Sequence, residues 1–470
     1  MPAAPATTAD IFCRVVDNFG DIGVCWRLAR GLTAEHGWHV RLWVDDLHSF
    51  ARLAPTLDVH ADRQMLGAID VVAWREAALS ATSNAHDASR SSAPLKTTGA
   101  KALAEPLMPR DVVIEAFACD PPTWFVTAMH AMSAPPVWIN LEYLSAEDWI
   151  EGCHGLHSRR PDGLEKVFCF PGFTAKTGGL LRERDLLLAR DRFQADAQAQ
   201  DALLATCGVP ADTRAHIAAD GASVVTLFCY PDAPLHALFS ALAQRDRPTV
   251  LIAPHGVAPQ TESALAHLPP AQRARLVLCR IPFVPHDTFD RLLWLADLNV
   301  VRGEDSLVRA LWAGRPLLWH IYPQDDAAHE VKLDAFLART GWPDAAKVAN
   351  RAFNKALPGD GASAEGNPTE GTTAEGTSAD TANGAATADG AGTANPPAHT
   401  ASTETHALHA TDAADAADAE DTADAADFAL LHNGPAFHAW QTAARRYADN
   451  VAAHRDLATT IADYGVRATD

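Results

Sequence analysis

The sequence predicts an α/β protein with two successive Rossmann-like domains, a disordered acidic insertion and a C-terminal helical segment. From residue 10 to about residue 340, short runs of β-branched and aromatic residues alternate with helical patterns. The alternation starts afresh after about residue 185. A chain of 470 residues is also too long for one core and suits two domains with extra material.

The first predicted domain spans 10–184 and follows a disordered N-terminus, 1–9. A strand at 10–16 leads through a loop into a helix over 22–35, where Val24, Leu28 and Leu32 share one face. An inserted loop is expected at 77–106, which is rich in Ala, Ser and Thr. The remaining strands of this domain are predicted at 40–44, 70–74, 111–117 and 137–141.

The second predicted domain spans 185–357. Its helical patterns include 236–243 and 287–296. Its strands are predicted at 223–228, 249–253, 275–279, 299–302 and 317–321. Two doubly wound units in succession predict facing domains with a cleft between them, as in the GT-B type of glycosyltransferase.

Residues 358–427 form the predicted disordered insertion. They include 14 acidic residues, no Lys or Arg, and Leu408 as the one large aliphatic side chain. Such a segment buries too little apolar surface to offset its ordering entropy. Removing its 14 negative charges from the total of −21 leaves −7 for the other 400 residues, which argues against nucleic-acid binding. Order is expected to resume at Phe428, with a helical stretch over 440–464 inside the segment 428–470.

Cysteine spacing and hydropathy predict a cytoplasmic protein. None of the eight cysteines forms a CxxC pair, so reduced thiols are expected, with neither disulfides nor a metal site. The first residues lack the features of a signal peptide, and no apolar run reaches the length of a membrane span.

The loop 17–21 is the first candidate site. It follows the first strand, at the sheet edge where ligands bind in open α/β folds. Gly20 allows close approach, and the carboxylates of Asp17 and Asp21 could share one site, one accepting a proton and the other orienting a nucleophile. The alternative is that Asp21 only caps the helix.

The turn 300–306 is the second candidate. A helix start offers free N–H groups and a positive dipole end to a diphosphate, and Arg302 adds a forked cation. Glu304 could accept hydrogen bonds from sugar hydroxyls, and Ser306 could donate one to a phosphate. An ordinary acidic N-cap box is the alternative.

Aromatic residues mark the third candidate. Phe283 and Phe289 flank a proline-fixed loop and could hold a flat base, although simple core packing is the commoner role of such residues. Tyr230, at the end of a strand, could reach a phosphate or a sugar or could anchor its loop. His320, in the polar loop after the last strand, is expected to be buried and hydrogen-bonded.

Together these segments resemble the EarP family, the protein-arginine rhamnosyltransferases of bacterial elongation factor P. The resemblance runs from residue 10 to about 340. Its segments read DIFCRVVDNFGDIGVCWRLARGL, VRLWVDDL, VVIEAFACDPP, WINLEYLSAEDWIE, FCFPGFTAKTGGLLRERDL, DRLLWLADLNVVRGEDSLVRALWAG and WHIYPQDD. It implies dTDP-β-L-rhamnose as the donor substrate, inversion at the anomeric carbon and an arginine of elongation factor P as the acceptor. It further implies that no cofactor or metal takes part and that the modified factor supports translation of polyproline stretches.

The resemblance also implies roles for individual residues. Asp21 would be the general base, and Asp17 would help to hold the guanidinium, in the loop that carries Phe19 and Gly20. The remaining residues would bind the donor: Arg302, Glu304, Asp305, Ser306, Phe228, Tyr230, Phe283, Phe289 and Tyr322. Glu304 is also expected to take part in catalysis. His286 stands where the family is expected to have glutamine, at a contact with the base.

Two other functions remain open from the sequence. A two-domain glycosyltransferase could act on a lipid or a small glycan, for which a membrane-facing amphipathic or basic patch would be expected. A non-catalytic binder of a translation factor would have no need of Asp17, Asp21 and Glu304.

Overall fold

The computed structural model describes residues 6–16, 19–74, 97–98, 107–219, 221–322, 328–355 and 423–467. Within these residues, the N-terminal half forms a nine-stranded sheet in the order β5-β3-β4-β2-β1-β6-β7-β9-β8. Its strands are β1 (Thr8–Cys13), β2 (His39–Val44), β3 (Arg63–Leu66), β4 (Ile69–Ala73), β5 (Thr97–Thr98), β6 (Val112–Ala116), β7 (Val137–Leu141), β8 (His157–Arg159) and β9 (Glu165–Cys169).

Helices cover this sheet and bury both of its faces. They are α1 (Gly20–His36), α2 (Leu47–Leu53), α3 (Thr123–His130) and α4 (Ile150–Cys153). On one face, Ile11 and Ile114 pack with α1 residues such as Leu28. On the other, Phe12 stacks on Trp43 with ring centroids 5.1 Å apart. Burial on both faces explains why the central strands are largely apolar. Their few polar side chains, among them Asp10, Arg41 and Glu115, are also buried.

The second half forms a parallel sheet of five described strands in the order β12-β11-β10-β13-β14. These are β10 (Ser223–Leu227), β11 (Thr249–Pro254), β12 (Leu276–Ile281), β13 (Leu298–Arg302) and β14 (Leu317–His320). The helices are α5 (Leu186–Ala195), α6 (Ala197–Thr206), α7 (Ala211–Ala219), α8 (Leu235–Leu242), α9 (Thr261–Ala266), α10 (Pro270–Arg273), α11 (His286–Leu295), α12 (Glu304–Ala313), α13 (Ala328–Thr340) and α14 (Asp344–Ala352).

Each sheet has a topological switch point at which the strand order reverses. In the first sheet β1 pairs in parallel with both β2 and β6, and in the second β10 pairs in parallel with both β11 and β13. Open α/β sheets bind ligands beyond the carboxyl ends of such strands. The loops after β1, β6, β10 and β13 are therefore the places where a site is expected. The predicted α/β class with two Rossmann-like units is confirmed.

The C-terminal segment packs against both halves. A 3₁₀ helix (Ala425–Leu431) and α15 (Gly434–Ala452) place Phe428 and Trp440 in the core of the second half. The last helix, α16 (Leu457–Arg467), places Leu457 and Ile461 in the core of the first half. The chain crosses back beside Gly179, whose φ is +77° and at which any Cβ would overlap the Arg455 carbonyl.

Three predicted boundaries are wrong. The N-terminus predicted to be disordered, 1–9, already contains the start of β1, because Thr8 pairs with His39 and both its N–H and hydroxyl bond to Asp111. The insertion predicted at 358–427 ends too late, because Asp424 caps the 3₁₀ helix through a reciprocal capping box with Asp427. The helical stretch predicted over 440–464 begins earlier, at Gly434, and consists of two helices. Residues 356–422 lie outside the described residues, and so does the loop 77–106 apart from β5.

Candidate functional site

The loop after β1 places Asp21 at the start of α1. The N-cap is Phe19, which makes no side-chain cap bond, and Asp21 lies in the first turn with 3 % of its surface exposed. Its Oδ2 accepts the N–H of Val16 at 2.8 Å, so the carboxylate holds the preceding loop. The alternative that Asp21 caps the helix is therefore wrong. Asp17 lies outside the described residues.

The turn after β13 depends on Gly303. This residue has φ 63° and ψ −169°, a conformation that only glycine adopts readily, and it is the N-cap of α12 without a side-chain cap bond. The N-cap box alternative is therefore wrong. Glu304 opens the helix, and its Oε2 accepts the N–H of Leu144 at 3.0 Å. Because Leu144 follows β7 of the first sheet, Glu304 joins the two halves of the molecule.

Arg302 lies between two aromatic rings. Its guanidinium carbon is 4.9 Å from the centroid of Phe228 and 4.7 Å from that of Tyr230, both of which follow β10. Its backbone carbonyl accepts the hydroxyl of Ser306, so that hydroxyl turns back on the helix. The ends of β10 and β13 thus bring together Phe228, Tyr230, Arg302 and Ser306. The guanidinium of Arg302 packs on two aromatic rings beside the start of α12.

Asp305 forms an ion pair with a residue of the first half of the molecule. Its Oδ1 is 2.8 Å from Nε of Arg27, a buried residue of α1. Arg27 also binds both oxygens of Asp290 on α11, at 3.0 and 2.9 Å, and Arg309 binds the same carboxylate. Burial raises the pKa of Asp305, and Arg27 opposes that rise. Although Asp305 borders the predicted donor site, its carboxylate is in an ion-pair network between α1, α11 and α12.

The same network determines the charge state of two groups beside the site. Burial alone would raise the pKa of Asp290, but Arg27 and Arg309 lower it to about 2. His286, at the start of α11, is 5 % exposed, and burial together with the charge of Arg27 lowers its pKa well below the ordinary value. His286 is therefore neutral at pH 7, and its Nδ1 has no hydrogen-bond partner among the described residues.

One cavity, here called the aromatic cavity, encloses about 580 Å³ including space open to solvent. Phe289 packs on Phe228 with centroids 5.2 Å apart, and Phe283 packs on Phe19 at 5.1 Å. The predicted aromatics therefore line one space, with Phe19 contributed by the first half. The lining residues are Phe19, Gly20, Leu53, Phe228, Pro254, Phe283, Val284, His286, Phe289, Arg302, Gly303, Glu304, Asp305 and Ser306.

A second space, the carboxylate cleft, encloses about 990 Å³ with the solvent at its mouth. It shares Gly20, Gly303 and Glu304 with the aromatic cavity, so the two spaces adjoin at the two helix starts. Its charged lining residues are Asp21, Glu304 and Lys332. The other lining residues are Val16, Gly20, Val24, Phe117, Tyr143, Leu144, Gly303, Trp319, Ile321 and Tyr322.

Tyr230 and Tyr322 meet edge to face at 5.6 Å, with Tyr322 in the cleft wall. The backbone N–H of Tyr230 donates to Nδ1 of His320 at 3.2 Å. Burial lowers the pKa of His320 to about 4, so the imidazole is neutral and accepts this bond. The expectation of a buried, hydrogen-bonded histidine is confirmed.

Sequence reasoning missed Phe117, Tyr143 and Arg27. Phe117 follows β6, the strand beside β1 at the switch point, and this position alone could have marked it as a site residue. It has φ +57°, an outlier for a bulky residue, and Ala118 and Asp120 also have positive φ. Arg27 has no local signal, because its partners lie more than 150 residues away.

Neither a metal site nor a membrane helix is found in the part of the chain that the structure describes. No group of three or more His, Cys, Asp or Glu residues there could hold a metal ion. No helix in that part is both long and apolar enough to cross a bilayer.

Comparisons with known proteins show which proteins this chain is similar to. The family described as "Elongation-Factor P (EF-P) rhamnosyltransferase EarP" matches residues 9–389. A protein-arginine rhamnosyltransferase of Pseudomonas putida is 49 % identical over 350 residues, 73 % of this chain and 84 % of the relative. One from Pseudomonas aeruginosa is 45 % identical over 338 residues, 70 % and 80 % of the two chains. A solved structure described as the basis for EarP-mediated arginine glycosylation of EF-P has a TM-score of 0.52 at 30 % identity, covering 98 % of this chain and 99 % of the other.

Proposed function

Because the chain belongs to the EarP family of elongation factor P rhamnosyltransferases, we propose that it transfers L-rhamnose from dTDP-β-L-rhamnose to an arginine of elongation factor P, with inversion. The modified factor would then support translation of polyproline stretches. Since the acceptor is a translation factor, we place the reaction in the cytoplasm.

The aromatic cavity is the proposed donor site. Phe283 and Phe289 offer flat apolar surfaces to a thymine, and His286 offers an unpartnered Nδ1 beside them. The Nδ1 of the neutral imidazole can form one hydrogen bond with an N–H or a carbonyl of a thymine edge. The donor proposal rests on this pairing of apolar faces with one polar group.

The turn after β13 is the proposed diphosphate site. The first N–H groups of α12 have no partner within the helix, and the dipole of the helix favours an anion at this end. Arg302 lies at the same place, supported by Phe228 and Tyr230, so that a forked cation can face the phosphates. These groups would stabilise the charge that develops on the leaving dTDP.

The carboxylate cleft is the proposed acceptor site. A guanidinium is a poor nucleophile because its nitrogen lone pairs are delocalised and its pKa exceeds about 12. A nitrogen of the arginine would attack the anomeric carbon from the face opposite the diphosphate. As the N–C bond forms, the C–O bond breaks with its electron pair going to dTDP, and Asp21 takes a proton from the guanidinium. Attack from the opposite face gives inversion.

One observation carries the proposal. The aromatic cavity and the carboxylate cleft adjoin at Gly20, Gly303 and Glu304, where the starts of α1 and α12 meet. A nucleotide site and a pair of carboxylates therefore share one border, as a transfer between donor and acceptor requires.

The test is to incubate the protein with elongation factor P and dTDP-rhamnose and to weigh the factor intact. A gain of one deoxyhexose, absent when the acceptor arginine is replaced by lysine, supports the proposal. NMR of the product gives the anomeric configuration. An unchanged mass of the factor, or transfer to a glycan in its place, would overturn the acceptor assignment.

A further inference from the structure

Two stacked rings form one wall of the carboxylate cleft. The centroids of Phe117 and Tyr143 lie 4.5 Å apart with an interplanar angle of 19°. Both residues line the cleft together with Asp21 and Glu304. Phe117 follows β6 and Tyr143 follows β7, so the pair stands beside the loop that carries Asp21 at the switch point of the first sheet.

The backbone holds this pair in an unfavourable geometry. Phe117 has φ +57°, a conformation that a bulky side chain rarely adopts. Its N–H nevertheless donates to the Leu141 carbonyl at 2.7 Å, which fixes the conformation. Strain of this kind persists where the surrounding structure enforces it and is concentrated at functional sites. The enforced conformation places the Phe117 ring against Tyr143.

Glu304 fixes the other member of the pair. Its Oε2 accepts the N–H of Leu144, the residue after Tyr143. Tyr143 is 41 % exposed although one face of its ring is covered by Phe117. Tyr143 is thus partly exposed in a cleft that carries two carboxylates.

We propose that the Phe117–Tyr143 pair is the platform on which the guanidinium of the acceptor arginine lies flat. This inference rests on the proposed function. A guanidinium is planar and weakly hydrated, stacks on aromatic faces and offers its N–H groups to carboxylates at its edge. A ring face with Asp21 and Glu304 in the same cleft presents both kinds of contact. Tyr143 is then a residue that positions the acceptor and determines its specificity.

The experiment measures acceptor KM and kcat, with saturating donor, for Tyr143→Leu and Tyr143→Phe. Leucine keeps the bulk but removes the π face, so acceptor KM should rise roughly tenfold while dTDP affinity is unchanged. Phenylalanine should restore acceptor KM to within about twofold, because the ring is what binds. Trp149→Leu removes an exposed aromatic of the same half that lies outside the cleft, and it should leave KM unchanged.

Unchanged dTDP affinity shows that Tyr143→Leu is folded, and a binding cycle then isolates the contact with the acceptor arginine. The affinity for elongation factor P is measured for two enzymes, the unchanged enzyme and Tyr143→Leu. Each is tested with two forms of the factor, one with the acceptor arginine intact and one with alanine in its place. If the arginine lies on the platform, replacing it by alanine weakens binding of the factor to the unchanged enzyme and has little effect on binding to Tyr143→Leu. Equal weakening in both enzymes, or an unaltered acceptor KM in Tyr143→Leu, overturns the platform alone. An unchanged enzyme that transfers nothing overturns the proposed function as well.

Discussion

At the scale of single residues, the two carboxylates of the cleft each have a structural task as well as a proposed chemical one. Asp21 accepts the N–H of Val16, and Glu304 accepts the N–H of Leu144. Each therefore fixes a loop that forms part of the cleft wall. Truncation to alanine would release the loop and remove the charge together. Amide substitutions separate these effects, since an amide oxygen still accepts a hydrogen bond but is not a base.

We expect Asp21→Asn to lower turnover by about 10²–10⁴-fold, the usual contribution of a general base. Affinity for dTDP, measured by calorimetry, should stay within a few-fold, because the proposed donor contacts lie in the aromatic cavity. Asp45→Asn is the matched control. Asp45 accepts the N–H of Val15 in the same loop at 2.9 Å but does not line the cleft, so its variant should keep near-normal turnover. Near-normal turnover of Asp21→Asn would remove Asp21 from the mechanism.

His320 should make the protein acid-sensitive between about pH 6.5 and 4. Its pKa is lowered to about 4 in the folded state, so over this range the unfolded chain binds a proton that the folded chain does not. The contribution of His320 to the free energy of unfolding is therefore fully present above pH 6.5 and is lost as the pH falls. At pH 5 the loss from this group is about 2 kcal/mol.

Thermal melts of His320→Asn should show a smaller fall in Tm between pH 7 and pH 5. The asparagine oxygen can still accept the N–H of Tyr230, but the side chain does not titrate. His157→Asn, at a solvent-exposed histidine, should leave the slope as it is. The same slope in both variants would contradict the assignment to His320.

At the scale of elements, local pattern predicted the strands and helices that carry the site but not their partners. The helices α1 and α11 begin within two residues of their predicted starts at 22 and 287. The strands β3 and β8 were missed, because each is a short antiparallel partner of the next strand and lacks a long apolar run. Arg27 was missed because its partners are fixed only when α1 packs on α11 and α12. The strain at Phe117 likewise depends on a tertiary contact.

The Arg27 network should hold the two site-bearing helices together. Arg27 is buried and binds Asp290 and Asp305, whereas Arg30 on the same helix makes a similar bidentate pair with Asp287 in solvent. Removing one partner of a buried pair costs about 3–5 kcal/mol, and an exposed pair is worth about 0–1 kcal/mol. Denaturant melts should therefore show a large loss of unfolding free energy for Arg27→Gln and almost none for Arg30→Gln. Equal losses would mean that burial does not set the strength of the network.

At the scale of the whole molecule, the C-terminal segment ties the two halves together and makes the fold depend on residues beyond the insertion. Its 3₁₀ helix packs beside α14, with the rings of Phe353 and Phe428 6.4 Å apart. Its last helix then packs on α1. The two sides of the segment 358–421 are thus held close to each other by the fold. Closing a chain segment between such fixed ends costs entropy that rises only slowly with the length of the segment.

Replacing 358–421 by a short Gly/Ser linker should therefore keep Tm and turnover nearly unchanged. The sequence of this segment offers Leu408 as its one large aliphatic side chain, and Asp424 stays to cap the 3₁₀ helix. Extending the deletion to 358–427 removes the capping box of Asp424 and Asp427, which should cost about 1 kcal/mol and lower Tm by about 2 °C. Calorimetric scans of the two deletions side by side measure this difference.

A large fall in Tm with the shorter deletion would show that the segment packs against the fold. A rise in acceptor KM confined to low salt would show that its acidic residues attract the acceptor.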